Sequence, residues 1–290
     1  MAKFKDLLQE RFKAKMIPEE LELLPTGFQR IGDKAILTLK SELVKYKGDI
    51  AQIILDLFNY IKGVYLKTGA VSGEYRTPQI EFILGEDKPE TIHHEHGISY
   101  KFDITKIMFS KGNINERARI ALLVQSNEII FDLFAGIGYF SLQIGRSGKP
   151  KKVYAFEWSP ITFHYLVENI KLNKINEERE IIVPILGDSK VEALKIPEKA
   201  DRVIMGMLPA PKEHIGTVFQ IIKDTAMVHY EGLLNESETE ESLLADFKVK
   251  AKFYNRKIEL IKTTYVKSYG PKIYHVTLDL KISKKSDGST

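Results

Sequence analysis

The stretch IIFDLFAGIGYFSLQIG, residues 129–145, joins an apolar run to a glycine-rich turn and then to a helical pattern. The apolar run predicts a buried strand that ends at Asp132, and Gly136 and Gly138 let the backbone turn tightly beside a ligand. A helix that starts near Tyr139 would point its first N–H groups at the same cleft. This strand, turn and helix predict a ligand site, and an ordinary tight turn without a ligand is the alternative.

Acidic side chains follow the next two predicted strands. Glu157 comes directly after Lys152–Phe156, and a carboxylate there can accept two hydrogen bonds from a ribose diol. Trp158 beside it can cover the edge of an adenine. After the third strand, Asp188 can accept a hydrogen bond from an adenine amino group while a backbone N–H near Ser189 meets a ring nitrogen. A solvated charge at Glu157 and local packing of Trp158 are the alternatives without a ligand.

The order of predicted strands and helices divides the chain into parts. In residues 106–283 strands alternate with helices, which predicts an α/β fold with a doubly wound parallel sheet. The last two strands of this part, joined through residues 268–271, are predicted to pair as an antiparallel hairpin. Residues 25–105 are predicted to form a small α+β domain. A charged helical lead-in is predicted over 1–24, and a disordered tail over 284–290.

Local patterns predict where two helices begin. Asp49 is a candidate N-cap for a helix whose apolar stripe ends at Gly63. Asn113 and Glu116 have the spacing of a capping box at the start of the helix that precedes the glycine-rich stretch. The capping interpretation gives both of these side chains a structural role.

The bulk composition limits the function classes. The chain of 290 residues carries 43 basic and 39 acidic residues, and its net charge of +4 is too small to predict nucleic-acid binding by itself. A local basic face could still hold a polyanion. The absence of cysteine excludes disulfides, thiolate metal sites and cysteine nucleophiles, and it is compatible with a reducing cytoplasm. With no apolar run near the roughly 18 residues of a membrane span and no signal-peptide pattern, we expect a cytoplasmic protein without a membrane segment or an obligatory protein partner.

Two side-chain clusters have both functional and structural interpretations. The run HHEH at residues 93–96 contains metal-binding residue types, but alternation along a strand would point neighbours to opposite faces, so we expect a hairpin turn and no metal. Near the C-terminus, aromatic residues interleave with cations, which is typical of a surface that binds nucleic acid and equally of a sheet core with solvated lysines. The residues are Lys252, Phe253, Tyr254, Arg256, Tyr265, Lys267, Tyr269, Lys272 and Tyr274.

Several motifs together resemble one family. The stretch DLFAGIGYF, residues 132–140, resembles motif I of the class I methyltransferases that use S-adenosylmethionine (SAM). FSKGNINER, residues 109–117, is similar to the F-S-x-G-N-x-x-E-R segment of a tRNA-modifying group. That group joins the tRNA guanosine-N1 methyltransferases to the wybutosine-synthesis aminocarboxypropyltransferases. The resemblance covers roughly residues 30–282, with further matches at Gly73, 76–78, 91–97, 266–271 (VKSYGP) and 274–276 (YHV).

The resemblance implies a Rossmann-like class I methyltransferase sheet with a small N-terminal α+β domain, SAM as co-substrate, and the anticodon region of tRNA as partner. It also implies that Ser110 and Arg117 line the SAM site. Arg117 would pair with the carboxylate of the methionine moiety, and a surface salt bridge is the alternative. The expected SAM-binding residues are Phe109, Ser110, Arg117, Asp132, Gly136, Gly138, Glu157, Trp158, Asp188 and Ser189.

The segment after the fourth predicted strand distinguishes the two branches of this family. The N1-methyltransferases carry N-P-P-Y here, whereas MGMLP at residues 205–209 resembles the G-L-I-P version of the aminocarboxypropyltransferases. An apolar rim suits a tricyclic base that stacks more than it hydrogen-bonds. We therefore expect Met205, Leu208 and Pro209 to contact the base. The resemblance implies transfer of the 3-amino-3-carboxypropyl group to C7 of the tricyclic wybutosine precursor, 3′ of the anticodon.

Three other functions stay open at this point. The first is a tRNA guanosine-N1 methyltransferase with a divergent fourth-strand motif, and the second is a catalytically silent tRNA-binding protein. The third, a small-molecule methyltransferase, is disfavoured because residues 30–105 resemble a substrate-recruiting module. His164, Glu168 and His214 are conceivable general bases, and the sequence does not choose among them.

Overall fold

The computed structural model describes residues 4–285 and forms two compact units. The first comprises the residues up to Glu95 together with Ser99–Phe109, and the second comprises His96–Ile98 and the residues from Ser110 onward. Of the predicted disordered tail, residues 286–290 lie outside the described residues. Within the described part of the chain, no helix is both long and apolar enough to span a bilayer.

The first unit has its own apolar core beneath a small sheet. In chain order its elements are α1 (Phe4–Phe12), α2 (Pro18–Leu23), β1 (Gln29–Ile31), β2 (Lys34–Leu37), α3 (Lys47–Leu57), β3 (Gly63–Lys67), β4 (Ile80–Gly85), β5 (Glu90–Glu95) and β6 (Ile98–Asp103). Strands β1 to β4 form one sheet in that order, and β5 pairs with β6. Leu8 and Phe12 of α1 pack in the same core as Ile50 and Ile54 of α3. The segment predicted as a helical lead-in therefore contributes α1 to the core of this unit.

The start and end of α3 differ from the sequence prediction. A 3-10 helix, Ser41–Tyr46, runs directly into α3, so Tyr46 occupies the N-cap position and Asp49 lies within the first turn. Asp49 is therefore not the cap, although a carboxylate in the first turn still interacts favourably with the helix dipole. The helix ends at Leu57, and Gly63 begins β3 instead of ending the helix.

The second unit contains the seven-stranded sheet. Its elements are α4 (Ile114–Leu123), β7 (Ile129–Asp132), α5 (Ser141–Arg146), β8 (Lys152–Glu157), α6 (Pro160–Leu172), β9 (Ile182–Leu186), α7 (Ser189–Glu192), β10 (Ala200–Met205), α8 (Ile215–Ile221), β11 (Ile222–Asn235), α9 (Glu240–Phe253), β12 (Arg256–Gly270) and β13 (Ile273–Lys284). The strand order is β12-β13-β11-β10-β7-β8-β9, with β7 to β11 parallel and β13 antiparallel to both of its neighbours. The predicted Rossmann-like sheet with a closing antiparallel hairpin is confirmed.

The strand order sets the position of the cleft. From β7 the chain proceeds to β8 and β9 on one side, and then returns to β10 and β11 on the other side. In open α/β sheets this reversal leaves a crevice at the carboxyl ends of the strands on either side of the switch. The residues that follow β7, β8, β9 and β10 are the ones that the sequence predicts to bind ligand, and they share this edge.

A buried polar network connects α4 to the antiparallel strands of the sheet. Asp279 accepts hydrogen bonds from Arg119 Nη1 (2.7 Å) and lies 2.7 Å from His229 Nδ1. Arg202 Nη1 lies 2.6 Å from His229 Nε2. Because a guanidinium only donates, His229 Nε2 must accept and its Nδ1–H donates to Asp279. Burial lowers the pKa of His229 and keeps the ring neutral, whereas the hydrogen bonds to Asp279 outweigh burial and hold the pKa of that carboxyl well below its usual range.

The predicted capping box at the start of α4 is wrong. Asn113 occupies the N-cap position but makes no side-chain cap hydrogen bond. The buried Glu116 carboxylate instead accepts two hydrogen bonds of 2.7 Å from Arg119. Arg119 also binds Asp279, so the pairing of Glu116 depends on a strand that lies far away in sequence. Glu116 therefore belongs to the network and not to the cap.

We expect Asp279→Ala to lower the free energy of unfolding by about 3–5 kcal/mol, because the substitution leaves Arg119 and His229 without their shared buried acceptor. Urea unfolding at pH 7 measures this loss. Since the folded pKa of Asp279 lies below the unfolded value of about 3.9, its contribution is present above pH 4 and is lost as the pH falls further. Glu241→Ala, which removes an exposed ion pair with Lys248, is the control and should cost less than about 1 kcal/mol. Equal losses in the two variants would contradict a stabilising network.

Candidate active site

The glycine turn after β7 has the backbone conformation that its sequence predicts. Gly136 and Gly138 have φ angles of +58° and +97°, in the region that favours glycine. A β-carbon on Gly138 would lie 2.6 Å from Leu142 Cγ, so the site has no room for a larger residue. The N–H groups of Gly138 and Tyr139 both donate to the Ala135 carbonyl, at 2.9 and 3.1 Å. The helix itself, α5, begins two residues later than predicted.

Asp132 supports this turn from within the protein. Its side chain is completely buried, and Oδ2 accepts a hydrogen bond of 2.6 Å from Ser141 Oγ at the start of α5. Burial raises the pKa of Asp132 to about 6, against the effect of the hydrogen bonds from Ser141 and from the Phe134 backbone. Asp132 therefore joins β7 to α5 and presents no exposed carboxylate. Its predicted contact with SAM stays a prediction.

Glu157 connects the end of β8 to the same turn. Its Oε2 accepts from the Gly136 N–H at 3.0 Å and its Oε1 accepts from the Ser159 N–H at 2.8 Å. Burial raises the pKa of Glu157 to about 7, although the hydrogen bonds from Ser159 and Gly136 oppose this shift. A carboxylate has about four acceptor positions, and the backbone hydrogen bonds from Ser159, Gly136 and Trp158 leave capacity for a further donor. Glu157 can therefore hold the turn and still accept hydrogen bonds from a ribose.

The end of β9 is fixed beside the end of β8. The Gly187 N–H donates to the Glu157 carbonyl at 2.9 Å, and Asp188 caps α7 by accepting from the Lys190 N–H at 2.9 Å. Ser189 is buried at the start of that helix. Trp158 is 47% exposed next to Glu157. This arrangement brings together the four residues that the sequence predicts on the adenosine side of the cleft.

His214 is the candidate base that contacts this group of residues. Its Nε2 lies 3.7 Å from Asp188 Oδ1, and its ring centroid lies 4.6 Å from that of Phe134. Burial lowers the pKa of His214, which leaves the imidazole neutral at pH 7. The contacts of the other two candidates, among the described residues, stay within α6: His164 packs against Tyr165, and Glu168 pairs with Lys171 at 3.6 Å.

The segment after β10 agrees only in part with its predicted role. Met205 is the last residue of β10, and its side chain has no exposed surface because it packs in the core of the second unit. The predicted contact between Met205 and a base is therefore wrong for this structure. Leu208 is partly buried and Pro209 is exposed, and the peptide bond between them is cis. These two residues form the apolar rim.

Arg117 and Ser110 are connected to the turn through Tyr139. Arg117 is buried, its Nη2 donates to the Ser110 carbonyl at 2.7 Å, and its guanidinium lies 4.7 Å from the centre of the Tyr139 ring. Lys267 Nζ donates to Ser110 Oγ at 2.8 Å. Because Arg117 is buried, the surface salt bridge that was the alternative for it is wrong. Sequence reasoning missed Lys267 as a site residue, although the VKSYGP motif contains it.

Phe109 lies in the first unit. Its buried ring stacks on Phe102, with ring centroids 5.0 Å apart, and makes edge contacts with Tyr100 and His93. These contacts give Phe109 a packing role, and its SAM contact stays a prediction. His93, His94 and Glu95 lie on β5, so the predicted turn is limited to His96 and Gly97, whose φ angles are positive. Among the described residues, no group of three or more metal-binding side chains is placed to hold an ion.

The C-terminal aromatic cluster divides between core and surface. Tyr254 stacks on Phe219 with ring centroids 5.3 Å apart and the planes nearly parallel, which places it against the core. Phe253, Tyr265 and Tyr269 are each at least half exposed. The core interpretation thus holds for Tyr254, and nucleic-acid binding by the exposed members stays a prediction.

The chain matches two family models. The TRM5/TYW2 methyltransferase domain matches residues 91–261, and the TYW2 N-terminal domain matches residues 8–88. A tRNA(Phe) (4-demethylwyosine(37)-C(7)) aminocarboxypropyltransferase of Pyrococcus horikoshii is 39% identical over 272 residues, which cover 93% of this chain and 95% of the relative. The protein of the same name from Methanocaldococcus jannaschii is 37% identical, with 89% and 98% covered. A tRNA (guanine(37)-N(1))-methyltransferase, Trm5b of Pyrococcus abyssi, is 36% identical, with 92% and 78% covered.

Solved structures resemble the chain over almost its whole length. P. horikoshii TYW2 in complex with MeSAdo has a TM-score of 0.81 at 35% identity and covers 97% of this chain and 100% of that chain. A complex of aTrm5 with tRNALeu has a TM-score of 0.80 at 30% identity, with 97% and 78% covered. The similarity thus includes proteins from both branches of the family.

We expect Gly138→Ala to lower the free energy of unfolding by about 3 kcal/mol, because the new methyl group adds a collision with Leu142 to the backbone strain. Gly148→Ala is the matched control. Gly148 also has a positive φ, of +66°, but a β-carbon there would meet nothing within 4 Å, so its loss should stay near the roughly 1 kcal/mol of the strain alone. Urea unfolding compares the two. A loss as large in Gly148→Ala as in Gly138→Ala would argue against a turn limited by packing.

Proposed function

The chain belongs to the TRM5/TYW2 family, and we propose that it transfers the 3-amino-3-carboxypropyl group from SAM to C7 of the tricyclic wybutosine precursor at position 37 of tRNA, 3′ of the anticodon. The observation that carries this choice is the segment 205–209, where an apolar rim follows β10 without the asparagine of the N1-methyltransferases. The match of residues 8–88 to the TYW2 N-terminal domain supports the same branch. We place this reaction in the cytoplasm, with tRNA as the macromolecular partner.

The residues at the cleft fit SAM in size, charge and polarity. Glu157 and Asp188 offer acceptors for the ribose and the adenine amino group, and Trp158 offers an exposed aromatic face beside them. The glycine turn is tightly packed, with the Tyr139 ring against Gly136 and Leu142 against Gly138. The far side of the turn is cationic, which suits the carboxylate of the amino-acid moiety. The adenosine part and the amino-acid part thus have separate binding groups.

These residues contribute to catalysis mostly by positioning SAM and the base relative to each other. When bound, SAM supplies a sulfonium that activates its γ-carbon, so the C7–Cγ bond forms as the Cγ–S bond breaks, methylthioadenosine leaves, and C7 loses its proton. The chain holds the two ends of SAM at rigid strand ends. The γ-carbon is therefore kept in line with C7 of the base. Leu208 and Pro209 offer an apolar surface on which a flat tricyclic base can stack. We assign the first unit, residues 25–105 included, to recruitment of the tRNA.

We expect methylthioadenosine, and not adenosylhomocysteine, as the by-product when the protein is incubated with SAM and tRNA that carries the tricyclic precursor. The chemical reason is that the departing sulfur keeps its methyl group when the γ-carbon is transferred. Chromatography of the nucleosides identifies the by-product, and tRNA with unmodified guanosine at position 37 is the control. Adenosylhomocysteine from either tRNA would assign the chain to the methyltransferase branch, and no turnover with SAM bound would indicate a silent tRNA-binding protein.

We expect the affinity for SAM to rise as the pH increases from 6 to 8, because Glu157 loses its proton near pH 7 and the carboxylate is the stronger acceptor for ribose hydroxyls. Glu157→Gln should weaken SAM and methylthioadenosine alike, by about tenfold at pH 8, and should flatten this pH dependence. Calorimetric titration measures both ligands. Glu168→Gln on α6 is the control, and an unchanged pH slope in Glu157→Gln would exclude Glu157 as the titrating group.

A further inference from the structure

Lys267 is a half-buried cation without a carboxylate partner. Its Nζ donates to Ser110 Oγ at 2.8 Å, and no carboxylate of the described residues lies within 4.0 Å of that nitrogen. A β-carbon at Gly112 would meet the flexible end of the Lys267 side chain, so a larger residue there would displace the ammonium group. Burial lowers the pKa of Lys267, the nearby Arg117 lowers it further, and Glu231 opposes both effects. Glu231 thus offsets the burial of this ammonium group only in part, and no carboxylate of the described residues pairs with it directly.

Two buried groups next to Lys267 are also incompletely paired. Glu231 and His275 are 2% and 0% exposed, and Glu231 Oε2 lies 3.2 Å from His275 Nε2. Their relative orientation is not that of a hydrogen bond, and Glu231 Oε1 and both His275 ring nitrogens lack hydrogen-bond partners among the described residues. His275 is opposite Lys267 in the register of β12 and β13. Buried polar groups are nearly always satisfied, so this pair requires an explanation beyond folding.

The register of the sheet places this pair at the edge where SAM binds. Tyr230 of β11 is opposite Met205, the last residue of β10. Glu231 is therefore one residue beyond the end of β10, on the side of the apolar rim. The charge of Glu231 acts on Asp132 under the glycine turn as well as on Lys267. Lys267 is thus on the β10 and β11 side of the turn, whereas Glu157 is on the β8 side. A ligand whose ribose binds Glu157 would have to cross the glycine turn for its amino-acid moiety to reach Lys267.

We propose that Lys267 binds the carboxylate of the amino-acid moiety of SAM, and that the buried Glu231–His275 pair positions Lys267 for this contact. The proposal rests on the proposed function and changes the role expected for Arg117. Arg117 holds the Ser110 carbonyl and stacks on Tyr139, so it positions the segment on which Lys267 is anchored. The carboxylate is part of the transferred group, so the residue that binds it orients the γ-carbon. Methylthioadenosine lacks this carboxylate and therefore does not make the contact.

The test compares two ligands that differ in this carboxylate. We expect Lys267→Met to weaken SAM by about tenfold to a hundredfold, the range for a charge-assisted hydrogen bond, and to leave methylthioadenosine within about twofold. Lys267→Arg should recover most of the loss. Lys262→Met, on an exposed lysine of the same strand, should change neither ligand. Equal losses for SAM and methylthioadenosine in Lys267→Met, or no loss of SAM, would overturn the proposal.

Glu231→Gln tests the positioning pair separately. We expect it to weaken SAM by about threefold to tenfold and to leave methylthioadenosine unchanged, because the amide keeps the size of the side chain and removes its charge. The urea midpoint should not fall, since the variant removes an incompletely paired buried charge. A lower midpoint with unchanged SAM affinity would assign the pair a structural role and contradict its positioning role.

The result can be separated from that of the proposed function. SAM carries the same carboxylate whichever of its groups is transferred, so adenosylhomocysteine as by-product together with a SAM-selective loss in Lys267→Met would reject aminocarboxypropyl transfer and retain the role of Lys267. Methylthioadenosine as by-product together with equal losses of both ligands would do the reverse. If Lys267→Met does not fold, as judged by circular dichroism, the ligand comparison with Lys267→Arg and Glu231→Gln decides.

Discussion

The cleft depends on two buried carboxylates that hold the glycine turn. Asp132 binds the hydroxyl of Ser141 beneath the turn, and Glu157 binds the Gly136 N–H from the neighbouring strand. Burial raises the pKa of both carboxyls, to about 6 and about 7. The ionised side chains are therefore destabilised by desolvation, and neutral side chains at these positions would avoid that free-energy cost. The turn is therefore positioned by strands β7 and β8, whose register is fixed by the sheet. This explains how a loop of positive-φ residues can form a rigid binding surface.

The other half of the sheet carries a second set of buried polar groups, and its two parts differ in how completely they are paired. Around Asp279, each described donor and acceptor of Arg119 and His229 has a partner, which is typical of a network that stabilises a fold. Around Glu231 and His275, several atoms have none. A partly satisfied buried cluster destabilises a fold unless something else compensates for it. A bound anion would compensate the half-buried ammonium of Lys267 beside this cluster, whereas the unpaired Glu231 oxygen is an acceptor and requires a donor.

The sequence predicted the fold and the edge of the sheet that carries the site, because alternating apolar strands and helices permit few topologies and the strand-end residues are adjacent in sequence to those strands. It did not predict which side chains face the ligand. Glu116 looked like a cap because its partner Arg119 and their shared acceptor Asp279 are brought together by a contact across 160 residues. Met205 was predicted to lie on the rim because, at the end of a strand, the sequence does not show which of two neighbouring side chains faces the core. Lys267 was visible only as part of a motif and a mixed aromatic cluster.

The choice of transferred carbon is made away from the adenosine end. The sulfonium of SAM bears three carbons, and the residues that bind adenosine, such as Glu157, have the same task whichever carbon reacts. Selection must therefore come from the groups that hold the amino-acid moiety and from the surface that holds the base. In this chain the proposed groups belong to neighbouring strands: Leu208 and Pro209 follow β10, and Glu231 lies on β11 one residue beyond the partner of Met205. A change of specificity within the family is then expected to require changes on this side of the turn, while the glycine turn and the ends of β8 and β9 remain the same.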